Sequence, residues 1–181
     1  MTSIPQINIV DTTGSHRDLF DQINATFGTV PNLFTTIGNS EAALGSMWGS
    51  FGALGKGSLD PKLGEKIAVL VADINRCGYC LAAHTVLGQN AGASAEEMVE
   101  AQSGKSDDAQ TQAALDFTKA VVNKRAGISP VEISKIKEAG FTNEGVAEIL
   151  AHIALNIFTN YTNIAFNVPV DFPEVAFSSA A

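Results

Sequence analysis

Apolar residues at helical spacing, separated by helix-capping signals, run through most of the chain and constrain its fold more than any other feature. Between residues 41 and 54, for example, Leu44, Met47 and Leu54 recur at helical steps behind a cap at Ser40. Period-two alternation, which is typical of half-buried strands, is hard to find over more than a few residues. We therefore predict an all-α protein, a bundle of about six to eight helices with negligible strand content.

Local signals give the helix boundaries. Helix starts are predicted at 60–61, where an aspartate precedes a proline, and at the capping-box patterns of 94–97 and 129–132. Further helices are predicted over 15–28, 31–37, 40–54, 108–125 and 143–163. At 181 residues, the chain is within single-domain range. We expect one domain over 1–181, with an extended arm at 1–14 and a core at 40–103.

Both cysteines of the chain lie in one short motif, Cys77-Gly-Tyr-Cys80, and His84 follows four residues later. On a helix these three side chains fall within an arc of about 60°, so they share a face. We place the motif at the N-terminus of a helix that continues to Gly92. Unpaired backbone N–H groups at such a position, together with Arg76 before the motif, favour thiolate over thiol. From position alone, Cys77 is expected to be the more acidic thiol.

Glu65 lies on the helix that precedes the motif, twelve residues before Cys77. If the two helices pack side by side, the carboxylate can reach the imidazole of His84 and fix its tautomer. His84 can then act as a general base toward a cysteine, directly or through water. The pattern predicts a relay of carboxylate, imidazole and two thiols.

At this point the chain resembles the alkylhydroperoxidase AhpD-like and carboxymuconolactone decarboxylase family. The resemblance rests on Glu65, Cys77, Cys80 and His84 at the spacing Glu-x11-Cys-x2-Cys-x3-His, and it extends to the flanking segments 31–54 and 156–173. Together the motif and the flanks are similar to the peroxidase-related branch. One position departs from the pattern: Tyr79 stands where the best-studied AhpD-type proteins carry a histidine.

The resemblance implies an AhpD-like helical bundle and a thiol-dependent peroxidase or disulfide oxidoreductase, with no cofactor and no metal. In family terms Cys80 attacks the hydroperoxide, Cys77 resolves the product as a disulfide, and His84 and Glu65 relay the proton. The partners it implies are a small hydroperoxide and an external dithiol or protein disulfide reductant.

Two alternatives stay open at the level of the sequence. One is a decarboxylase-like lyase, although a lyase would leave the cysteine pair unexplained. The other is a structural or zinc-binding oligomer, in which Cys77, Cys80, His84 and a fourth ligand, Glu65 or His152, complete a tetrahedral site. His152 is otherwise expected to be a core or interface histidine.

Composition narrows the choice of partners and location. A net charge of −8 argues against nucleic acid and anionic membrane surfaces, since both attract clustered basic residues. Two cysteines three positions apart cannot join distant parts of a fold, and the N-terminus lacks a signal-peptide pattern, so we expect a cytoplasmic protein. The apolar composition, with a mean hydropathy of +0.13, favours a homo-oligomer.

Overall fold

The computed structural model describes residues 3–178, whose regular secondary structure is entirely helical, with no strand. The helices are α1 Gly14–Phe27, α2 Asn32–Ile37, α3 Glu41–Leu54, α4 Pro61–Ile74, α5 Gly78–Asn90, α6 Ala95–Gln102, α7 Ala109–Asn123, α8 Pro130–Glu138 and α9 Asn143–Phe166, with a short 3-10 helix at Ile9–Asp11. The all-α prediction is confirmed. These residues form nine α-helices, slightly more than the expected number, because three of them have nine residues or fewer.

Helix α4 is the centre of the bundle and packs against α5, α6, α7 and α9. All residues from 66 to 73 are buried, as expected for a helix surrounded on every side. Val69 and Leu70 belong to one apolar cluster, whereas Ile67 and Val71 belong to a second. The central helix therefore joins two cores, and it carries Glu65 at the edge of this buried stretch.

Side-chain caps fix the helix starts that the sequence predicts. Asp60 Oδ1 accepts from the backbone N–H groups of Lys62 (2.7 Å) and Leu63 (3.3 Å). Capping boxes are present at 94–97 and 129–132. Helix α9 runs one turn beyond its predicted end at residue 163. None of the helices in the described part of the chain is long and apolar enough to cross a bilayer.

The N-terminal residues lie across the bundle. The N–H of Ser3 donates to the Phe166 carbonyl (2.8 Å), and the N–H of Ile7 donates to the Thr35 carbonyl (2.9 Å). Ile7 also packs against the larger apolar cluster. Residues 1 and 2 of the expected arm lie outside the described range, and the domain boundaries stay a prediction.

The two capping boxes differ in the lysine that each glutamate binds. Glu97 Oε1 lies 2.6 Å from the ammonium of Lys66, whose side chain is only 6% exposed. Glu132 Oε1 lies 2.7 Å from the ammonium of Lys124, whose side chain is 52% exposed. The hydrogen bond and charge of the lysine, with the capping N–H, bring the pKa of each glutamate to about 2.

We expect Glu97→Gln to lower the free energy of unfolding by about 2 kcal/mol, because the buried Lys66 ammonium loses its counter-charge. The loss is smaller than for a fully buried pair, since water reaches Glu97. Glu132→Gln is the matched control and should have a much smaller effect, because its lysine is solvated. Urea unfolding of both variants measures the difference, and equal midpoints would contradict a stabilising role for the buried pair.

Candidate thiol site

The cysteine motif begins helix α5, as predicted. Cys77 is the N-cap residue, and its Sγ accepts from the backbone N–H of Cys80 (3.3 Å). Arg76 takes a left-handed backbone conformation (φ +58°) that turns the chain from α4 into α5. Cys77 and Cys80 are free thiols with exposures of only 1% and 2%. Both sulfurs therefore lie inside the protein at a helix N-terminus.

Glu65 and His84 meet across the α4–α5 interface. Glu65 Oε2 lies 2.7 Å from His84 Nδ1, so the predicted contact between carboxylate and imidazole is present. Burial lowers the pKa of His84, but the Glu65 carboxylate and the nearby Cys80 outweigh burial, so the net pKa is raised. The carboxylate thus holds Nδ1 and leaves Nε2 as the ring nitrogen available for proton transfer.

Cys80 is the acidic thiol of the pair. Burial raises its pKa, but a hydrogen bond from the Cys77 thiol and the charge of His84 act in the opposite direction. The amides of Asn163 and Asn160 lower it further, and the resulting pKa is about 7. The Cys80 thiolate is therefore accessible near neutral pH.

The expectation that Cys77 is the more acidic thiol is wrong. Its hydrogen bond toward Cys80, with burial, raises the pKa of Cys77 well above its usual range. Arg76 also plays a different part from the one expected, because its guanidinium lies over the ring of Phe177 (4.7 Å) and donates to the Ser178 carbonyl (3.3 Å). Position at the helix N-terminus is outweighed by the hydrogen bond between the two sulfurs, and then by His84 and the amides of Asn163 and Asn160.

Helix α9 supplies side chains that the sequence reasoning missed. Asn163 Nδ2 donates to Cys80 Sγ (3.1 Å), and Thr159 Oγ1 lies 3.9 Å from the same sulfur. Asn156, Thr159, Asn160 and Asn163, which we call the amide stripe, are all at most 5% exposed. Their spacing of i, i+3, i+4 and i+7 places them on one face of a helix that is otherwise mostly apolar. This spacing of polar residues was the sequence signal that could have revealed a buried polar face.

A small cavity of about 40 Å³ opens onto Cys80. It is large enough for one or two water-sized groups. Apart from Cys80 and His84, its walls include only two polar residues, Thr159 and Asn163. The remaining lining is apolar or aromatic and consists of Phe27, Pro31, Leu33, Phe34, Phe51, Tyr79, Ala83, Leu87 and Phe172.

Tyr79, the residue before Cys80, serves as a buried anchor. Its hydroxyl accepts from the N–H of Leu33 (3.2 Å), and its ring meets Phe172 edge to face at 5.7 Å. Burial, with a hydrogen bond to Asp171, raises the pKa of Tyr79 well above its usual range. Tyr79 is therefore neutral and joins α5 to α2 and to the segment after α9.

His152 lies on the other side of the Glu65–His84 pair from Cys80. It is half-buried, and a second cavity of about 220 Å³ is lined by His152, Glu65, His84 and Asn156 among others. Burial lowers the pKa of His152. Within residues 3–178, no group of three or more His, Cys, Asp and Glu side chains is arranged to hold a metal ion.

The segment that carries this site matches a known protein family. Residues 42–123, which include Glu65 and both cysteines, match the sequence model of the carboxymuconolactone decarboxylase family. The resemblance to the AhpD-like and carboxymuconolactone decarboxylase family is confirmed. A search of curated proteins found no significant match.

Solved structures with the same AhpD-like fold cover nearly the whole chain. An uncharacterized peroxidase-related protein with an alkylhydroperoxidase AhpD core, from Ralstonia eutropha JMP134, has a TM-score of 0.86 at 21% identity, covering 94% of this chain and 92% of that one. A peroxidase-related protein from Silicibacter sp. TM1040 has a TM-score of 0.82 at 21% identity, with coverages of 93% and 91%. The debrominase Bmp8, solved with 2,3,4-tribromopyrrole, has a TM-score of 0.78 at 20% identity, with coverages of 92% and 90%.

Proposed function

We propose that the protein is a thiol-dependent peroxidase or disulfide oxidoreductase that reduces hydroperoxides with the Cys77–Cys80 pair. One observation supports this most strongly: Cys80, with a pKa of about 7, lies at a cavity beside His84, whose Nδ1 is held 2.7 Å from Glu65. A nucleophile, an imidazole that can accept and donate a proton, and a carboxylate that orients the imidazole are thereby combined in one site.

The first step forms a sulfenic acid. The Cys80 thiolate attacks the terminal oxygen of the hydroperoxide, so that an S–O bond forms and the O–O bond breaks. The sulfur is oxidised by two electrons, and the alkoxide that leaves takes the proton from Nε2 of His84. The Glu65 carboxylate stabilises the imidazolium that holds this proton beforehand.

The second step forms a disulfide. Cys77 Sγ attacks the sulfur of the sulfenic acid, the S–O bond breaks, and hydroxide leaves with the thiol proton as water. An external dithiol or protein disulfide reductant then restores both thiols. Cys77 is suited to this step because it keeps its proton until Cys80 has been oxidised.

The proposal is tested by counting free thiols in reduced protein, as purified and after treatment with a chelator, before and after one equivalent of cumene hydroperoxide. We expect both thiols to disappear rapidly, with formation of one intramolecular disulfide and no disulfide-linked dimer. The reaction should proceed at neutral pH, because the pKa of Cys80 is about 7. Thiols that survive the hydroperoxide, or that appear only after zinc is stripped, would reject the peroxidase and favour the metal-binding or structural alternative.

Reductive dehalogenation is a second candidate, favoured by the aromatic walls of the cavity at Cys80. The thiolate would take the halogen as S–Br while the C–Br bond breaks, and the ring carbon would gain a proton. Cys77 would then displace bromide and form the same disulfide. The thiol count with 2,3,4-tribromopyrrole in place of the hydroperoxide separates the two candidates. The lyase alternative would leave the Cys77–Cys80 pair without a role.

We further propose that the protein is a cytoplasmic homo-oligomer. Helix α9 exposes large apolar side chains, namely Leu150, Phe158, Tyr161 and Ile164, which a second copy of the chain can cover. A reducing compartment would keep Cys77 and Cys80 ready for the next cycle.

A further inference from the structure

Three polar atoms of the amide stripe have no hydrogen-bond partner among the described residues, although their side chains are buried: Oδ1 of Asn156, Oδ1 of Asn163 and Nδ2 of Asn160. The last two belong to the asparagines whose amides face Cys80, and these residues are 4% and 0% exposed. Buried polar atoms in native proteins are nearly always paired. One open acceptor and one open donor beside the same sulfur therefore indicate a group that binds there during the reaction.

The stripe also contacts the reacting atom itself. Asn163 Nδ2 already donates to Cys80 Sγ at 3.1 Å. The Asn160 amide lies close enough to lower the pKa of the same thiol, and its Oδ1 is held by Nδ2 of Asn75 at 3.0 Å. Because Asn75 fixes one end of the Asn160 amide, the open Nδ2 is held in place.

We propose that Asn163, with Asn160 beside it, is a catalytic residue that stabilises the Cys80 thiolate and then binds the oxygen that Cys80 receives. This inference rests on the proposed function, since the hydroperoxide supplies that oxygen. The site takes a sulfenic acid, S–O–H, as its ligand.

The unpaired acceptor of Asn163 and the unpaired donor of Asn160 match the hydrogen-bonding groups of a sulfenic acid. When the S–O bond forms and the O–O bond breaks, the sulfenic oxygen becomes an acceptor for Asn160 Nδ2, and its hydrogen becomes a donor to Asn163 Oδ1. An amide can serve both the anionic thiolate and the neutral sulfenic acid, because it carries a donor and an acceptor and no charge. Donors placed where charge develops in a water-poor site are among the strongest contributors to catalysis.

The titratable groups around Cys80 come from other parts of the fold. Cys77, Tyr79 and His84 belong to the motif and helix α5, and Glu65 of α4 lies behind His84. The face of α9 that contacts Cys80 brings only uncharged amides and a hydroxyl. Substitutions in the stripe therefore change hydrogen bonding at the sulfur without removing an ionisable group.

The test uses the full chain with Cys77→Ser, so that Cys80 is the only thiol, and adds Asn163→Leu or Asn160→Leu. Thr162→Val is the control, because that buried hydroxyl donates to the Phe158 carbonyl of its own helix (2.9 Å) and does not line the cavity at Cys80. The rate of Cys80 alkylation by iodoacetamide against pH gives the thiolate fraction. The rate of reaction with cumene hydroperoxide, divided by that fraction, gives the reactivity per thiolate.

We expect Asn163→Leu to move the alkylation midpoint to higher pH, and both asparagine variants to lose about tenfold or more in peroxide reactivity per thiolate. The control should match the parent. Asn163→Ser, a smaller polar replacement, repeats the test if the leucine variant fails to fold. If the Cys77→Ser parent reacts with hydroperoxide and the folded asparagine variants have the same reactivity per thiolate, this inference alone is rejected. If the parent does not react with hydroperoxide, the proposed function is rejected.

Discussion

Cys80→Ser is expected to lower the rate of reaction with hydroperoxide by about 10⁴-fold or more, the loss seen when a catalytic nucleophile is removed. Cys77→Ser should leave the first oxidation fast but stop turnover after one equivalent. The difference arises because the pKa of Cys80 is about 7, whereas Cys77 keeps its proton through its hydrogen bond toward Cys80.

Both substitutions are structurally mild. A serine at position 77 is a good N-cap and can accept from the Cys80 N–H in place of the sulfur, and its hydroxyl can donate to Cys80 as the Cys77 thiol does. Rapid mixing with cumene hydroperoxide, followed by dimedone trapping and mass spectrometry, measures the sulfenic acid. It should accumulate on Cys80 in the Cys77→Ser variant. Fast oxidation of Cys77 in the Cys80→Ser variant would reverse the assignment and make the first cysteine of the motif the nucleophile.

The helical bundle could be predicted from the sequence because the signals that start helices are local. Asp60, Ser94 and Ser129 lie within three residues of the N–H groups that they cap. Apolar spacing then identified the buried faces of the longer helices. The end of α9 was less certain, because it depends on the left-handed conformation of Asn167 (φ +49°), which no strong sequence signal marks.

The Glu65–His84 contact was also predictable, since it needs only that consecutive helices pack side by side. Which of the two thiols is the more acidic could not be predicted from the sequence. A helix N-terminus favours Cys77, but the groups that lower the pKa of Cys80 include Asn160 and Asn163, which are about eighty residues away in sequence. Contacts over such a separation follow from the packing of α9 and cannot be read from the motif.

The amide stripe shows what the sequence could have offered. Three asparagines and a threonine at helical spacing within an apolar helix are hard to explain as packing alone, since each amide must be paired when it is buried. The sequence predicted a helix over this segment and a family resemblance, but no role for its polar face. The polar face became interpretable once Cys80 was placed against Asn163.

Replacing either Glu65 or His84 should raise the pKa of the Cys80 thiol. His84→Gln removes the charge that favours the thiolate, and Glu65→Gln lowers the pKa of His84, so that the imidazole is neutral near pH 7. In both variants the pKa of Cys80 should rise above about 7. The rate with hydroperoxide at neutral pH should fall by about 100-fold, the usual contribution of a general base.

The sign of this shift can be checked on the alkaline side. If the rate with hydroperoxide falls because less Cys80 is thiolate, raising the pH should restore most of the rate in Glu65→Gln. More Cys80 ionises as the pH passes the new pKa. His84→Gln should recover less, since it also lacks the acid that protonates the leaving alkoxide. His152→Gln is the matched control, because this histidine lies near Glu65 but does not line the cavity at Cys80. A pH profile that is unchanged in Glu65→Gln would show that the 2.7 Å contact orients His84 without setting its charge.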